Sequence, residues 1–88
     1  MVRMEIHRVG GMTMELNWRT VTGGVFWPDV GDVVVYEQYV GAYTIVRIGV
    51  VKQGTSGLLV QSKYKQKGAC DNMTITPGFR WAPWKKAQ

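Results

Sequence analysis

Side chains that could serve as nucleophiles or metal ligands are few in this chain. It has one histidine, His7, and one cysteine, Cys70, near opposite ends of its 88 residues. A Cys–His nucleophile needs the two side chains within hydrogen-bond reach, and their positions in the sequence give no reason to expect that. Asp29, Asp32 and Asp71 do not form with them the clustered spacing of a metal site. We therefore expect no catalytic residue, no metal site and no cofactor.

Binding chemistry is better represented, because two segments interleave basic side chains with aromatic rings. Residues 62–68 read Ser-Lys-Tyr-Lys-Gln-Lys-Gly, and residues 79–86 read Phe-Arg-Trp-Ala-Pro-Trp-Lys-Lys. Lysines neutralise phosphates, and a base stacked on an aromatic ring contributes about 1–3 kcal/mol. The predicted partner-binding residues are Arg47, Lys63, Tyr64, Lys65, Lys67, Arg80, Trp84, Lys85 and Lys86.

These segments also have a plainer interpretation, in which the lysines are only solvated and the rings fill the core. The aromatic residues expected in the core are Trp18, Phe26, Trp27, Phe79 and Trp81. Trp84, which follows a proline and precedes two lysines, is the aromatic residue that we most expect to be partly exposed, and Tyr64 is next.

Charge is divided unevenly along the chain. Residues 1–44 carry three arginines against five carboxylates, a balance of −2. Residues 45–88 carry eight lysines and arginines against one aspartate, a balance of +7. This division predicts a basic face that suits nucleic acid or an acidic protein surface. The alternative is net charge that serves only solubility.

The N-terminal residues alternate apolar with polar, as half-buried strands do. Two such strands separated by a glycine pair predict a β-hairpin. A three-residue loop over 10–12 places Ile6 opposite Leu16 and keeps one face apolar. A helix over 12–22 is the alternative, and the β-branched and aromatic residues there count against it.

Further short strands follow along the chain. Residues 33–36 are apolar on both faces and are expected at the centre of the sheet. A long strand over 43–52 contains Gly49, and a glycine within a strand marks a bulge or a sharp bend. Two more short strands are predicted over 73–76 and 79–81.

The loop over 53–57 sets the register of the strand pair on either side of it. Five loop residues would pair Val50 with Val60 and place Arg47 opposite Lys63. Like charges directly opposite each other destabilise a sheet. A bound anion or acidic partner would offset that cost.

Short strands separated by glycine turns predict a small all-β barrel or sandwich. We expect one domain over 1–88, with the hairpin at 1–22, a barrel at 31–84 and a basic tail at 85–88. The N-terminus carries charges where a signal peptide is apolar, and no apolar stretch reaches the roughly 20 residues that span a bilayer. The single cysteine allows no internal disulfide. The expected location is the cytoplasm, with no membrane partner.

Three segments in the middle of the chain resemble a known family. They are Gly31-Asp32-Val33-Val34-Val35, Gly49-Val50-Val51 and Leu58-Leu59-Val60. They are similar to the strands of SH3-like small barrels of the KOW type, over about 30 of the 88 residues. The spacing between the first two segments is a few residues long for that motif, and the hairpin lies outside it. The resemblance implies an SH3-like barrel that binds RNA, DNA or proteins through loops and strand edges.

The expected function is that of a non-catalytic binding module whose basic C-terminal half engages nucleic acid. The alternative is a protein-interaction or inhibitor module. The chain's size, tryptophan-rich turns and lack of a catalytic set resemble those of small phage-encoded accessory proteins, which would place it in a host cytoplasm. Such a factor could dock on a host enzyme or a virion component. No oligomeric state is predicted.

Overall fold

The computed structural model describes residues 2–9, 12–64 and 69–84, with side chains from Glu15 onward. Its strands are β1 (Val2–Val9), β2 (Met12–Thr20), β3 (Val33–Val40), β4 (Tyr43–Gly54), β5 (Gly57–Ser62), β6 (Asn72–Thr74) and β7 (Arg80–Pro83). All pairs are antiparallel, in one sheet with the order β1-β2-β7-β3-β4-β5-β6.

The prediction of an all-β protein is confirmed, and the described residues contain no helix. The arrangement is consistent with the small SH3-like fold that the resemblance implies. A pairing of the two edge strands, β1 and β6, which would close the sheet into a barrel, is not among the pairs of the described strands.

The strand β3 lies at the centre of the sheet, between β7 and β4, as its valines predict. Side chains alternate between the two faces of a strand, so Val34 and Tyr36 lie on one face and Val35 on the other. All three are at most 1% exposed. We call the face of Val34 and Tyr36 the inner face, and the face of Val35 the outer face.

The main core lies on the inner face. Its buried members are Val21, Val34, Tyr36, Val51, Val60, Ile75, Phe79 and Trp81. Burying one such side chain contributes about 1.5–3 kcal/mol. Val21 also fixes the approach to β7, because its N–H donates to the Phe79 carbonyl oxygen at 2.9 Å and its own carbonyl accepts from Gly78 N–H at 2.7 Å.

A second, smaller core lies on the outer face. It is formed by Leu16, Trp18, Val35 and Ala82, with Ile48 and Trp84 packed against it. The N-terminal hairpin joins the sheet here, through the pairs Arg19–Trp81 and Thr20–Arg80. The strand β2 therefore supplies the side chains that keep water from the outer face of β3 and β7.

Both registers predicted from loop length differ from the structure by one residue. In the N-terminal hairpin Ile6 pairs with Glu15 rather than with Leu16. Between β4 and β5, Val60 pairs with Val51 rather than with Val50. In each case two residues separate the paired strands, and two-residue loops are favoured because their backbone twist matches that of the strands.

Gly49 lies where three strands run close together. The pairing is continuous through it on both sides, with Val34 on β3 and with Ser62 on β5, so there is no bulge. A Cβ atom at this position would lie 2.6 Å from the Gln61 carbonyl oxygen and 2.8 Å from Val60 Cγ2. The close approach of the β5 backbone is what requires glycine here.

Candidate nucleic-acid interface

Arg47, expected to face a partner, lies inside the protein and is 5% exposed. Its Nη1 donates to Gln38 Oε1 at 2.8 Å and to the Cys70 carbonyl oxygen at 2.5 Å. Its Nη2 donates to the Tyr64 carbonyl oxygen at 2.8 Å. Such bonds compensate a buried charge for its lost hydration. This geometry corrects the expectation that Arg47 is a partner-binding residue.

The one-residue difference in register also separates Arg47 from Lys63. The Lys63 N–H donates to the Ile48 carbonyl oxygen at 2.9 Å, so Lys63 continues the ladder opposite Ile48. Arg47, which precedes Ile48 on β4, belongs to the inner face, whereas Lys63 belongs to the outer face. The two cations are therefore not a like-charge pair that needs an anion over it.

Arg47 instead anchors the loop between β5 and β6. The two carbonyl groups that it binds belong to Tyr64 and Cys70, on either side of the most basic part of this loop. Lys65 and Lys67, both predicted partner-binding residues, lie between these anchor points and outside the described residues. Arg47 thus fixes the ends of a segment that carries lysines.

The hydroxyl of Tyr36 belongs to the same polar cluster on the inner face. Burial raises the pKa of Tyr36 above its ordinary value of 10.0. The positive charge of Arg47 and a hydrogen bond with Ser62 act in the opposite direction, and burial outweighs them. Tyr36 is therefore held in its neutral form.

The outer face of β4 and β5 carries exposed positive charge, whereas Arg47 on the inner face is buried. Lys52 and Lys63 are exposed there, with half-buried Val50, Leu59 and Gln61 between them. Among the outer-face residues of β3, β4 and β5, Glu37 is the single carboxylate. An anionic ligand would meet two lysines on this surface and one acid at its edge.

Arg80 and Trp84 lie on the outer face of the last strand and its end. The Arg80 guanidinium lies 4.8 Å from the centre of the Trp18 ring and 3.6 Å from a Glu37 oxygen. Trp84 is half-buried against the second core, and its N–H donates to the Val33 carbonyl oxygen at 2.9 Å. Lys85 and Lys86, which follow Trp84, lie outside the described residues.

The aromatic residues divide largely as expected. Trp18, Phe79 and Trp81 are buried, and Trp27 is half-buried against the main core. Tyr64 is 68% exposed, which confirms its expected position.

Phe26 differs from the expectation of a core residue, because it is 38% exposed. Its backbone has a positive φ of 65°, a conformation uncommon for a residue with a side chain. The Phe26 carbonyl oxygen accepts a hydrogen bond from Trp81 Nε1 at 2.8 Å. That bond to a core residue fixes the backbone in this loop.

Two exposed tyrosines are not among the binding residues predicted from the sequence. Tyr39 and Tyr43 are 77% and 76% exposed at the tip of the β3–β4 hairpin. Tyr39 pairs with Thr44 and Tyr43 with Val40, so the two rings belong to the outer and inner faces respectively. The signal that could have identified them is their position beside the Gly41-Ala42 turn, where paired strands extend beyond the core.

The described residues add little to the case for other chemistry. They contain no group of three metal-binding side chains that could hold an ion. In the same part of the chain, no helix is long and apolar enough to cross a membrane. Cys70 is an exposed thiol.

The chain matches no protein-family model, no curated protein and no solved structure.

Proposed function

We propose that this protein is a non-catalytic module that binds nucleic acid through the outer face of β4 and β5. The observation that carries the proposal is the exposure of Lys52 and Lys63 on one face, with Glu37 as the single carboxylate among the residues of β3, β4 and β5 on that face. Two lysines on one face can neutralise two phosphates of the same strand. The resemblance to KOW-type barrels supports the same function.

Single-stranded nucleic acid suits this surface better than a duplex. Tyr39 projects from the edge of the outer face and is mostly exposed, and a ring in that position can stack on an unpaired base. Lys65, Lys67, Lys85 and Lys86 remain predicted contacts outside the described residues, and Lys65 and Lys67 follow Lys63 closely in the sequence. Nucleic acid is present in the cytoplasm, of a host cell if the chain is phage-encoded, and we place the protein there.

The test is a salt series on the binding of a labelled single strand, followed by fluorescence anisotropy between about 50 and 200 mM salt. Lys52→Gln and Lys63→Gln should each weaken binding and lower the log–log salt slope by about 0.7, the value for one contact to a single strand. Gln53→Glu is the matched control, because it changes the net charge equally at the residue next to Lys52 but on the inner face.

Two results would remove the proposal. The first is a lack of binding to single strands and duplexes at the lowest salt concentration. The second is an equal loss of affinity in Gln53→Glu and Lys52→Gln, because binding would then depend on net charge and not on this face.

A protein-interaction or inhibitor module is the second candidate, and the exposed hairpin tip favours it. Tyr39 and Tyr43 expose most of their rings, and large aromatic side chains are common anchors of protein interfaces. Binding through them would depend little on salt. Capture of one host protein from a nuclease-treated lysate, lost in the Tyr43→Ala variant, would favour this function over the first.

A further inference from the structure

A groove of about 420 Å³ opens beside the hairpin tip, and Arg80 is the one predicted partner-binding residue among its described walls. It exists because β7 pairs with β3 only from Val34 to Tyr36, so the remainder of β3 extends past the last strand. The groove lies between this extension, β6 and the turn that precedes β7. Its walls include Glu37, Tyr39, Met73, Thr74, Pro77 and Arg80.

The chemistry of the groove suits a flat, uncharged ring with polar edges. Met73 and Pro77 are apolar, and Tyr39 supplies an aromatic face at the rim. Glu37 and Arg80 meet at 3.6 Å, with side chains 20% and 36% exposed, so together they offer acceptors and donors with no net charge. A phosphate would gain little from such a pair, whereas a nucleobase has complementary groups on its edge.

We infer that this groove holds one unstacked guanine base of a bound single strand, an inference that rests on the proposed function. An ionised carboxylate only accepts hydrogen bonds, through two oxygens. Guanine presents its N1–H and N2–H donors side by side on the Watson–Crick edge, which matches Glu37. Thymine and uracil present one N–H on that edge and leave the second oxygen without a donor. Tyr39 stacks on the face of the base.

The lysines of the outer face are within reach of the same strand. Glu37 pairs with Val46 on β4, and Lys63 lies opposite Ile48, two residues further along. Two strand spacings across and two residues along amount to about 12 Å. A short single strand can therefore place a base in the groove and its backbone beside Lys63.

The experiment compares two labelled strands of about 12 nucleotides, within the usual range for such sites. One is all thymidine and the other has a single central dG. The guanine should strengthen binding at least about fivefold, the lower end of what one bidentate base contact contributes. Glu37→Gln, which replaces one acceptor oxygen with a donor, should reduce the affinity for the dG strand to that for the thymidine strand.

Tyrosine variants provide the matched control. Tyr39→Ala should weaken binding of both strands at least about fivefold, because a stacked base is lost. Tyr43→Ala removes an equally exposed ring from the inner face and should leave both affinities unchanged. Equal affinity for the two strands, or a guanine preference that survives Glu37→Gln, would overturn the inference while leaving the proposed function in place.

A second measurement tests the groove without a strand. Guanosine monophosphate, titrated to millimolar concentration, should shift the backbone amide NMR signals of Tyr39, Thr74 and Gly78, and thymidine monophosphate should not. If neither labelled strand binds at low salt, the proposed function fails, and these shifts alone then decide whether the groove takes guanine. Their absence with both nucleotides would refute the inference.

Discussion

Replacing Arg47 by methionine tests whether this residue supports the fold and not a partner. Methionine keeps much of the side-chain length and removes every donor. Gln38, which is buried, would lose the partner of its Oε1 atom, and the carbonyl groups of Tyr64 and Cys70 would lose theirs. The loop between β5 and β6 would no longer be held at both ends.

The size of the effect follows from these three bonds. A buried acceptor left without a partner costs about 1–3 kcal/mol, which applies to Gln38. The two carbonyl bonds contribute about 0.5–1.5 kcal/mol each, and water can replace part of that at the exposed loop. We expect Arg47→Met to lower the free energy of unfolding by about 2–4 kcal/mol, a large part of the roughly 4–13 kcal/mol typical of a chain this long.

Urea denaturation followed by the fluorescence of the four tryptophans measures this change. Lys63→Met is the matched control, because it removes an exposed cation from the same region and should shift stability by less than about 0.5 kcal/mol. Trypsin should also cleave Arg47→Met faster than the parent protein within residues 63–67. A loss below about 1 kcal/mol in Arg47→Met, or equal losses in the two variants, would refute the role assigned to Arg47.

Two further changes test the core. Gly49→Ala should lower the free energy of unfolding by about 1–3 kcal/mol, because its Cβ would collide with the Gln61 carbonyl. Gly24→Ala, whose Cβ would meet nothing within 4 Å, should leave that free energy nearly unchanged. Equal urea midpoints for the two variants would contradict this. The raised pKa of Tyr36 means that the unfolded chain loses this proton first, so stability should be full below pH 10 and fall as pH rises beyond it. Thermal unfolding between about pH 8 and 11 should show a shallower fall in Tyr36→Phe than in the Tyr43→Phe control.

Much of the fold could be predicted from local pattern. Residues 33–36 are apolar on both faces, and β3 does lie at the centre of the sheet with both faces covered. The glycine and proline turns separate strands where expected. Local pattern succeeds here because alternation and turn chemistry act over a few residues.

The register of the strand pairs is harder to predict, because it depends on how many residues a turn leaves unpaired. Residues 53–57 look like a five-residue loop, yet Gly54 pairs with Gly57 and belongs to the ladder. A slip of one residue reverses the face of every side chain on the slipped strand. That slip is why Arg47 and Lys63 were expected to face each other.

The groove could not be predicted from sequence at all. It depends on the difference in length between β3 and β7, and the end of a strand is poorly marked when no proline or glycine stops it. Glu37 and Tyr39 have no unusual spacing. They line a groove only because β7 begins at Arg80 and leaves the end of β3 uncovered on that side.

The position of β7 has a consequence for how this protein is made. It is the strand that joins β2 to β3, yet it lies near the end of the chain, about 60 residues after β2. A ribosome delivers the N-terminal hairpin first, so Leu16 and Trp18 emerge well before the strand that docks them. The sheet can be completed only once residues 80–83 have left the exit tunnel, and a chain that stops before Arg80 would leave two separate pieces of sheet.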